Sequence, residues 1–184
     1  MTIQVGDRIP SATLNVLKDG VQAIRSEDIF AGKTVVLFSV PGAFTPTCSA
    51  KHLPGYVAKL AELRAKGVDT VVCMAVADAF VMDAWAKSQN VGDGIMMLAD
   101  GNGAFAKAMG LDMDATPFGM GMRSKRFALV AKDGDMFTPE FFGALKSATD
   151  AVLVMDGIDR GRVQSLFTPN VRYIEVVEDG IQAG

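Results

Sequence analysis

Two cysteines and one histidine are the only thiol and imidazole side chains in this chain of 184 residues. Two separated cysteines are too few for a disulfide framework, and no C-x-x-C pair is present. That absence argues against a disulfide reductase, which needs two thiols close together on one helical turn. The same scarcity leaves no plausible set of metal ligands, so we expect no metal and no other cofactor.

A surplus of positive charge and long apolar runs are also missing. Lys and Arg number 18 against 21 Asp and Glu, and the formal net charge of -3 gives no general attraction to nucleic acid or anionic membranes. No apolar stretch approaches the roughly 20 residues that span a bilayer, and residues 1–7 lack the pattern of a targeting signal. We expect no nucleic-acid partner, no membrane partner and a cytoplasmic location.

The chain does contain the apolar material for one sizeable core. Hydrophobic residues make up 49% of it, which suits a single domain over residues 1–184. Apolar β-branched runs alternate with helical patterns, which predicts βαβ units and a central sheet covered by helices. The predicted strands are 34–40, 70–76, 95–99 and 126–131, and the predicted helices are 49–66, 78–89 and 102–109.

Local signals refine this prediction. Pro54 lacks a backbone N–H, so the first long helix should kink there. Asp78 is the expected N-cap of the next helix, whose apolar face should include Phe80 and Trp85. Residues 112–122 are rich in Gly, Met and Asp, which predicts a loop with special backbone angles.

The segment Pro41-Gly42-Ala43-Phe44-Thr45-Pro46-Thr47-Cys48 stands between a predicted strand and a predicted helix. It therefore places a thiol at a helix N-terminus, where unpaired backbone N–H groups and the helix dipole favour thiolate over thiol. The thiolate is the reactive form, so Cys48 is the candidate nucleophile.

Pro-x-x-x-Thr-x-x-Cys at a strand-to-helix junction resembles the peroxiredoxins, and His52-Leu53-Pro54-Gly55-Tyr56 makes the chain similar to their type-5 branch. The resemblance covers about residues 3–134. It implies an α/β, thioredoxin-like (peroxiredoxin) fold, with a central mixed β-sheet flanked by helices. It also implies a thiol peroxidase that reduces hydrogen peroxide and alkyl hydroperoxides in antioxidant defence.

The resemblance implies a catalytic set of four residues. Cys48 would attack one peroxide oxygen and become a sulfenic acid. Thr45 would accept a hydrogen from the thiol or the peroxide and donate its own to the other oxygen. Arg126 would stabilise negative charge on the sulfur and on the leaving oxygen, and Pro41 would shield the sulfur.

Four more residues are candidates for substrate binding. Gly42 belongs to the pocket loop, and Phe44 would line an apolar mouth for alkyl hydroperoxides. His52 is either a helper near the pocket, adding positive potential if protonated, or a plain helix-surface histidine. Arg123 is either a second anion contact or a surface charge.

Closing the catalytic cycle requires another thiol. Cys73 lies in an unbroken apolar run and is interpreted as structural, although a disulfide with Cys48 after partial unwinding of the helix stays open. Residues 135–184 contain no cysteine, whereas two-cysteine type-5 relatives carry a resolving one there. We expect a one-cysteine mechanism with an external reductant, glutathione or glutaredoxin first and thioredoxin next.

The C-terminal part departs from the family pattern. Residues 135–170 look like an inserted helical segment, with a helix start at Thr138 and a displaced last strand at 171–177. Family likeness implies a homodimer, which the apolar insertion would strengthen or replace. Two alternatives to an enzyme remain, a holdase or binding module that uses residues 141–155, and a peroxide sensor.

Overall fold

A mixed sheet of seven strands is the centre of the fold in residues 1–136, the part of the chain that the computed structural model describes. The strands in chain order are β1 (Thr13–Leu17), β2 (Val21–Arg25), β3 (Thr34–Ser39), β4 (Thr70–Ala75), β5 (Met96–Ala99), β6 (Asp112–Asp114), β7 (Met122–Ser124), β8 (Phe127–Lys132) and β9 (Asp135–Met136). The order across the sheet is β2-β1-β5-β4-β3-β8-β9, and β6 pairs with β7 in a separate hairpin.

Helices connect these strands within the same described range. They are α1 (Ser26–Phe30), a π-helical turn (Cys48–His52), α2 (Leu53–Ala65), α3 (Ala79–Ser88) and α4 (Ala104–Ala108), with 3-10 turns at Gly92–Gly94 and Thr116–Phe118. None of the helices in residues 1–136 has the length and apolar character that crossing a membrane would require.

The middle of the sheet is parallel and its flanks are antiparallel. β4 runs parallel to both β3 and β5, whereas β8 pairs antiparallel with β3 and β1 antiparallel with β5. All six residues of β3 are buried, as expected for a strand covered on both faces. The predicted α/β class, with a central mixed sheet flanked by helices, is confirmed.

Side chains alternate between the two faces along β3. Val36 and Phe38 pack in one cluster with α2 and α3, whereas Val35 and Leu37 pack in another with α1 and α4. Cys48 belongs to the first cluster. The thiol therefore lies on the face of the sheet that α2 and α3 cover.

The helix that follows the cysteine differs from the predicted one. It starts as a π-helical turn at Cys48–His52 and becomes α-helical at Leu53. Pro54 lies in the first turn of α2, where its missing N–H leaves no intrahelical bond unmade. Where the sequence predicts a kink, the hydrogen-bonding pattern changes from π to α.

The predicted cap of α3 is confirmed, since a carboxylate oxygen of Asp78 accepts a 2.9 Å hydrogen bond from a first-turn N–H. Ala79, Met82 and Trp85 form the buried stripe of this helix. Phe80 is 63% exposed, so its predicted place on the apolar face is wrong. It stands one residue, about 100°, away from the stripe.

Two hairpins were not predicted. The β1–β2 hairpin turns at Asp19-Gly20, a turn signal that the sequence carries, and both residues have positive φ, 52° and 112°. Residues 112–122, predicted as a loop, form β6, a 3-10 turn and the start of β7. The special backbone angles expected there occur at Gly119 and Gly121, with φ of 71° and 66°.

Most of the predicted C-terminal insertion falls beyond this range. The described residues end at 136. All but the first two residues of the predicted insertion 135–170 therefore lie outside them, as do its predicted helix start at Thr138 and the predicted strand at 171–177. The same holds for residues 141–155, on which the binding-module alternative depends.

Candidate active site

The loop after β3 delivers the cysteine at the carboxyl end of the central strands. Cys48 is the first residue of the π-helical turn, is a free thiol and has no exposed surface. Phe44 in this loop has a φ of 62°, a left-handed conformation that non-glycine residues seldom adopt, and its ring is 55% exposed. Backbone strain of this kind clusters at active sites. The half-buried Pro41 begins the loop, directly after Val40.

Strand register carries Arg126 to the thiol. Phe127, the first residue of β8, is the antiparallel partner of Ser39, the last residue of β3. Arg126 therefore arrives at the start of the cysteine loop, although it lies 78 residues from Cys48 in sequence. Its Nη2 donates toward the sulfur of Cys48 at 3.4 Å.

His52 contacts the other terminal nitrogen of the same guanidinium. Nη1 of Arg126 is 2.7 Å from Nδ1 of His52, and because arginine has no acceptor, the imidazole must accept. Burial and then the charge of Arg126 lower the pKa of His52 from 6.5 to about 3. The histidine is therefore neutral near pH 7. The positive potential considered for a protonated His52 is absent, and the interpretation as a plain surface histidine is wrong.

Aromatic packing fixes the ring of His52. It meets Phe38 edge-on, with centroids 5.2 Å apart, and Tyr56 at 5.6 Å. Phe38 and Tyr56 in turn stack at 3.7 Å. Burial, and then the neighbouring Cys73, raise the pKa of Tyr56, so its phenol is protonated near pH 7.

Thr45 bonds within the loop. Its hydroxyl donates to the carbonyl of Gly42 at 2.9 Å, so its hydrogen is directed there and not to a peroxide oxygen as predicted. The lone pairs of Oγ1 can still accept a hydrogen from a thiol or a peroxide. Gly42 is buried, and a Cβ on it would stand 3.0 Å from the methyl carbon of Thr45. A side chain at position 42 would therefore require Thr45 to move by a few tenths of an ångström.

Arg123 is the middle residue of β7. Its Nη1 donates to the carbonyl of Val76 at 2.6 Å, and its Nε is buried and without a hydrogen-bond partner in the described part of the chain. The interpretation as a surface charge is wrong. The contact fastens β7 to the residue that follows β4, and the role of a second anion contact stays a prediction.

Cys73 is the only other cysteine, and it lies on β4 opposite Phe38 of β3. It is free, has no exposed surface, and its pKa is raised by burial and then by the neighbouring Cys48. These features agree with a structural thiol. A thiol that keeps its proton is a poor nucleophile.

Two polar contacts were missed in the sequence. Nε1 of the fully buried Trp85 donates to Oγ of Ser49, the residue after Cys48, at 3.0 Å. Oγ of Ser124 lies 2.5 Å from Oγ of Ser39, and both serines are fully buried. Serines at strand ends carry no pattern that marks them as buried partners, so only the structure identifies these pairs.

The geometry combines a buried thiol, one guanidinium and one neutral imidazole. No group of three metal-ligating side chains is found in residues 1–136. Among the apolar side chains, Phe44 of the cysteine loop, Phe118 of the 3-10 turn and Met122 of β7 are exposed, and Met120 is half-buried. A thiolate beside a fixed cation is suited to attack on a polar, small electrophile.

Comparison with known proteins places these features in context. The model of the Redoxin family matches residues 4–138. The chain is 48% identical over 138 residues to Peroxiredoxin-2E, chloroplastic, of Arabidopsis thaliana, which covers 72% of this chain and 59% of that relative. It is 50% identical over 139 residues to Peroxiredoxin-2E-2, chloroplastic, of Oryza sativa subsp. japonica, which covers 72% and 62%. The chain thus spans about three-fifths of the length of these relatives.

A solved structure agrees with the fold. Reduced Prx3 of Vibrio vulnificus in complex with hydrogen peroxide is 49% identical, with a TM-score of 0.71 over 74% of this chain and 86% of that one. The thioredoxin-like fold expected from the sequence is confirmed. The predicted cytoplasmic location is corrected, because the names of both plant relatives point to a plastid.

Proposed function

The chain belongs to the Redoxin family and, by its relatives, to the peroxiredoxins, and on that premise we propose that it is a thiol peroxidase whose peroxidatic residue is Cys48. One observation carries the proposal. The guanidinium of Arg126 reaches the buried sulfur through Nη2 and the neutral His52 through Nη1. The two contacts fix the orientation of the guanidinium, so that its positive charge faces the sulfur that reacts.

The proposed reaction is a displacement at oxygen. The Cys48 thiolate attacks one peroxide oxygen, so an S–O bond forms as the O–O bond breaks. Sulfur loses two electrons and becomes a sulfenic acid. The leaving oxygen takes up a proton and departs as water from hydrogen peroxide, or as an alcohol from an alkyl hydroperoxide.

Arg126, His52 and Thr45 divide the supporting tasks. Negative charge moves from the sulfur to the leaving oxygen, and Arg126 stabilises it at both ends. His52, neutral and accepting, orients the guanidinium without adding a second cation. Thr45, whose own hydrogen is donated to Gly42, accepts the hydrogen of the bound peroxide and so orients the attacked oxygen.

A one-cysteine cycle of the type-5 kind completes the proposal. Cys73 is fully buried on a central strand, and no cysteine follows it in the sequence. An external thiolate must therefore attack the sulfenic acid. We propose glutathione or glutaredoxin as that reductant, with thioredoxin next.

Hydrogen peroxide is the first substrate to test, since the Vibrio vulnificus relative was solved in complex with it. The exposed Phe44 and Met122 favour small alkyl hydroperoxides as further substrates. Exposed Phe80 and Phe118 add apolar surface that a homodimer would cover. Sedimentation of the full chain with and without dithiothreitol tests the dimer.

The central experiment is stopped-flow fluorescence of Trp85 after one equivalent of hydrogen peroxide. Trp85 is the single tryptophan, and its bond to Ser49 couples its emission to the turn that carries Cys48. We expect a rate far above that of free cysteine, with one added oxygen by intact mass. Arg126→Ala should lower the rate by about a hundredfold or more.

Arg64→Ala is the matched control, because Arg64 lies in the last turn of α2 and its side chain bonds only to the carbonyl of Gly94 among the described hydrogen bonds. It should react like the wild type. A wild-type rate equal to that of free cysteine would refute the proposed function.

A further inference from the structure

A pair of buried hydroxyl groups links the two segments that meet at Cys48. Ser39 ends β3 and Ser124 ends β7, and neither has exposed surface. Their Oγ atoms are 2.5 Å apart, although the residues are 85 positions apart in sequence. A fully buried polar group is unfavourable unless it is hydrogen-bonded.

Both hydroxyls can be satisfied at once. Oγ of Ser39 is 3.2 Å from the carbonyl of Met74, and Oγ of Ser124 is 3.2 Å from the carbonyl of Val40. Each hydroxyl has one hydrogen, so either Ser39 donates to Ser124 and Ser124 to Val40, or Ser124 donates to Ser39 and Ser39 to Met74. In either arrangement the pair joins the ends of β3 and β7.

The chain positions on both sides of this pair belong to the reaction site. Val40 directly precedes Pro41 and the cysteine loop, and its own N–H donates to the carbonyl of Met74 at 3.0 Å. Ser124 stands two residues before Arg126. A displacement of Ser124 would therefore change the distance between the guanidinium and the sulfur.

The neighbours of Ser124 are also anchored. Arg123 donates to the carbonyl of Val76, and the N–H of Lys125 donates to the carbonyl of Leu111 at 2.7 Å. Arg123, Ser124 and Lys125 thus each bond to a different segment, and only Ser124 bonds to Val40, the residue before the cysteine loop.

We propose that Ser124, paired with Ser39, is a positioning residue that sets the distance between the guanidinium of Arg126 and the sulfur of Cys48. The inference rests on the proposed function, since it assigns Ser124 a part in the same reaction. Ser124 touches no reacting atom and acts through Arg126. Its removal should therefore change the rate only while Arg126 is present.

Ser124→Ala is the first variant to test, by the stopped-flow rate with hydrogen peroxide. Misplacement of a catalytic group by about 1 Å lowers rates by up to about a hundredfold, so we expect a loss of about tenfold or more. Ser26→Ala is the matched control. Ser26 is also buried, and its Oγ bonds the N–H of Ala12 and the carbonyl of Pro10, with no contact to the cysteine loop.

The control distinguishes an effect on the position of Arg126 from a general loss of stability. Both variants should lose similar thermal stability, but Ser26→Ala should keep the wild-type rate. In an Arg126→Ala background, Ser124→Ala should cause no further loss. A loss of the same size in that background would overturn the inference, because Ser124 would then act by another route.

Further outcomes distinguish the two proposals. If the wild type reacts fast and Ser124→Ala reacts equally fast, the positioning role fails and the peroxidase stands. If the wild type reacts no faster than free cysteine, the proposed function itself fails. Should Ser124→Ala not fold, Ser39→Ala replaces it with the same tests, and an unchanged rate in that variant overturns the inference.

Discussion

Arg126 donates a 2.7 Å hydrogen bond to Nδ1 of His52, and this bond requires the histidine to be neutral. A proton on Nδ1 would replace the acceptor with a donor and bring two cations into contact. The low pKa of His52, about 3, agrees with that geometry. The site therefore keeps one positive charge beside Cys48 over the physiological pH range.

The first prediction concerns acid sensitivity. The pKa of His52 is about 3 in the folded protein, whereas the ordinary value, expected in the unfolded chain, is 6.5. Between pH 3 and pH 6.5 the imidazole is therefore protonated in the unfolded chain and neutral in the folded protein. Stability should be fully present above pH 6.5 and fall as the pH drops toward 3, with a loss of about 2 kcal/mol from this group at pH 5.

Urea unfolding at pH 7.5 and pH 5 measures this loss in the wild type and in His52→Gln. His52 is the single histidine, so the difference between the two pH dependences isolates its contribution. Gln keeps an acceptor for Arg126 and cannot be protonated in this range. Identical pH dependence in both proteins would contradict the buried neutral imidazole.

The second prediction separates the two cysteines. Cys48→Ser should lower peroxide consumption by about a thousandfold or more, because it removes the nucleophile. Cys73→Ser should keep most of the activity, since that thiol is fully buried and holds its proton. Consumption assays with glutathione, glutaredoxin and thioredoxin in turn provide the measurement. Equal losses in both variants would refute the one-cysteine cycle.

The third prediction concerns the bond from Trp85 to Ser49. Ser49→Ala leaves the buried indole N–H without its acceptor, which should lower the free energy of unfolding by about 1–3 kcal/mol. Trp85→Phe removes the other partner. Circular dichroism during urea unfolding measures both variants and the double variant. A double loss equal to the sum of the single losses would mean that this bond contributes nothing to stability.

The fourth prediction concerns the loop at Gly42. A Cβ there would stand 3.0 Å from the methyl carbon of Thr45, so Gly42→Ala should displace Thr45 and slow sulfenic acid formation by about tenfold. Gly101→Ala is the control, because a Cβ at position 101 would stand 3.6 Å from the carbonyl oxygen of Ala77, an ordinary van der Waals distance. Matching rates in the two variants would show that Thr45 does not need its present position.

Much of the fold could be predicted from local patterns. The buried run of β3 and the Asp78 cap of α3 both depend on neighbouring residues alone, and both appear where the sequence indicates them. The π-helical turn at Cys48–His52 could not be predicted in this way, because a π pattern depends on how the turn packs against the sheet. The exposure of Phe80 depends likewise on which side of α3 faces the core.

The candidate site divides in the same way. The motif that ends in Cys48 is continuous in sequence, so its place between strand and helix could be predicted. The hydrogen bond of Arg123 to Val76, and the approach of Arg126 to His52, depend on which strands pair and in what register. Residues 74 positions apart meet only when that register is set.

By itself, the sequence determined the α/β class and the place of Cys48 between a strand and a helix, because each follows from composition or short-range spacing. Only the tertiary structure decided that His52 is neutral, that Arg126 touches the sulfur and that Ser39 meets Ser124. Burial and charge at a point in space depend on every segment that packs there, and the antiparallel pairing of β8 with β3 brings those segments together.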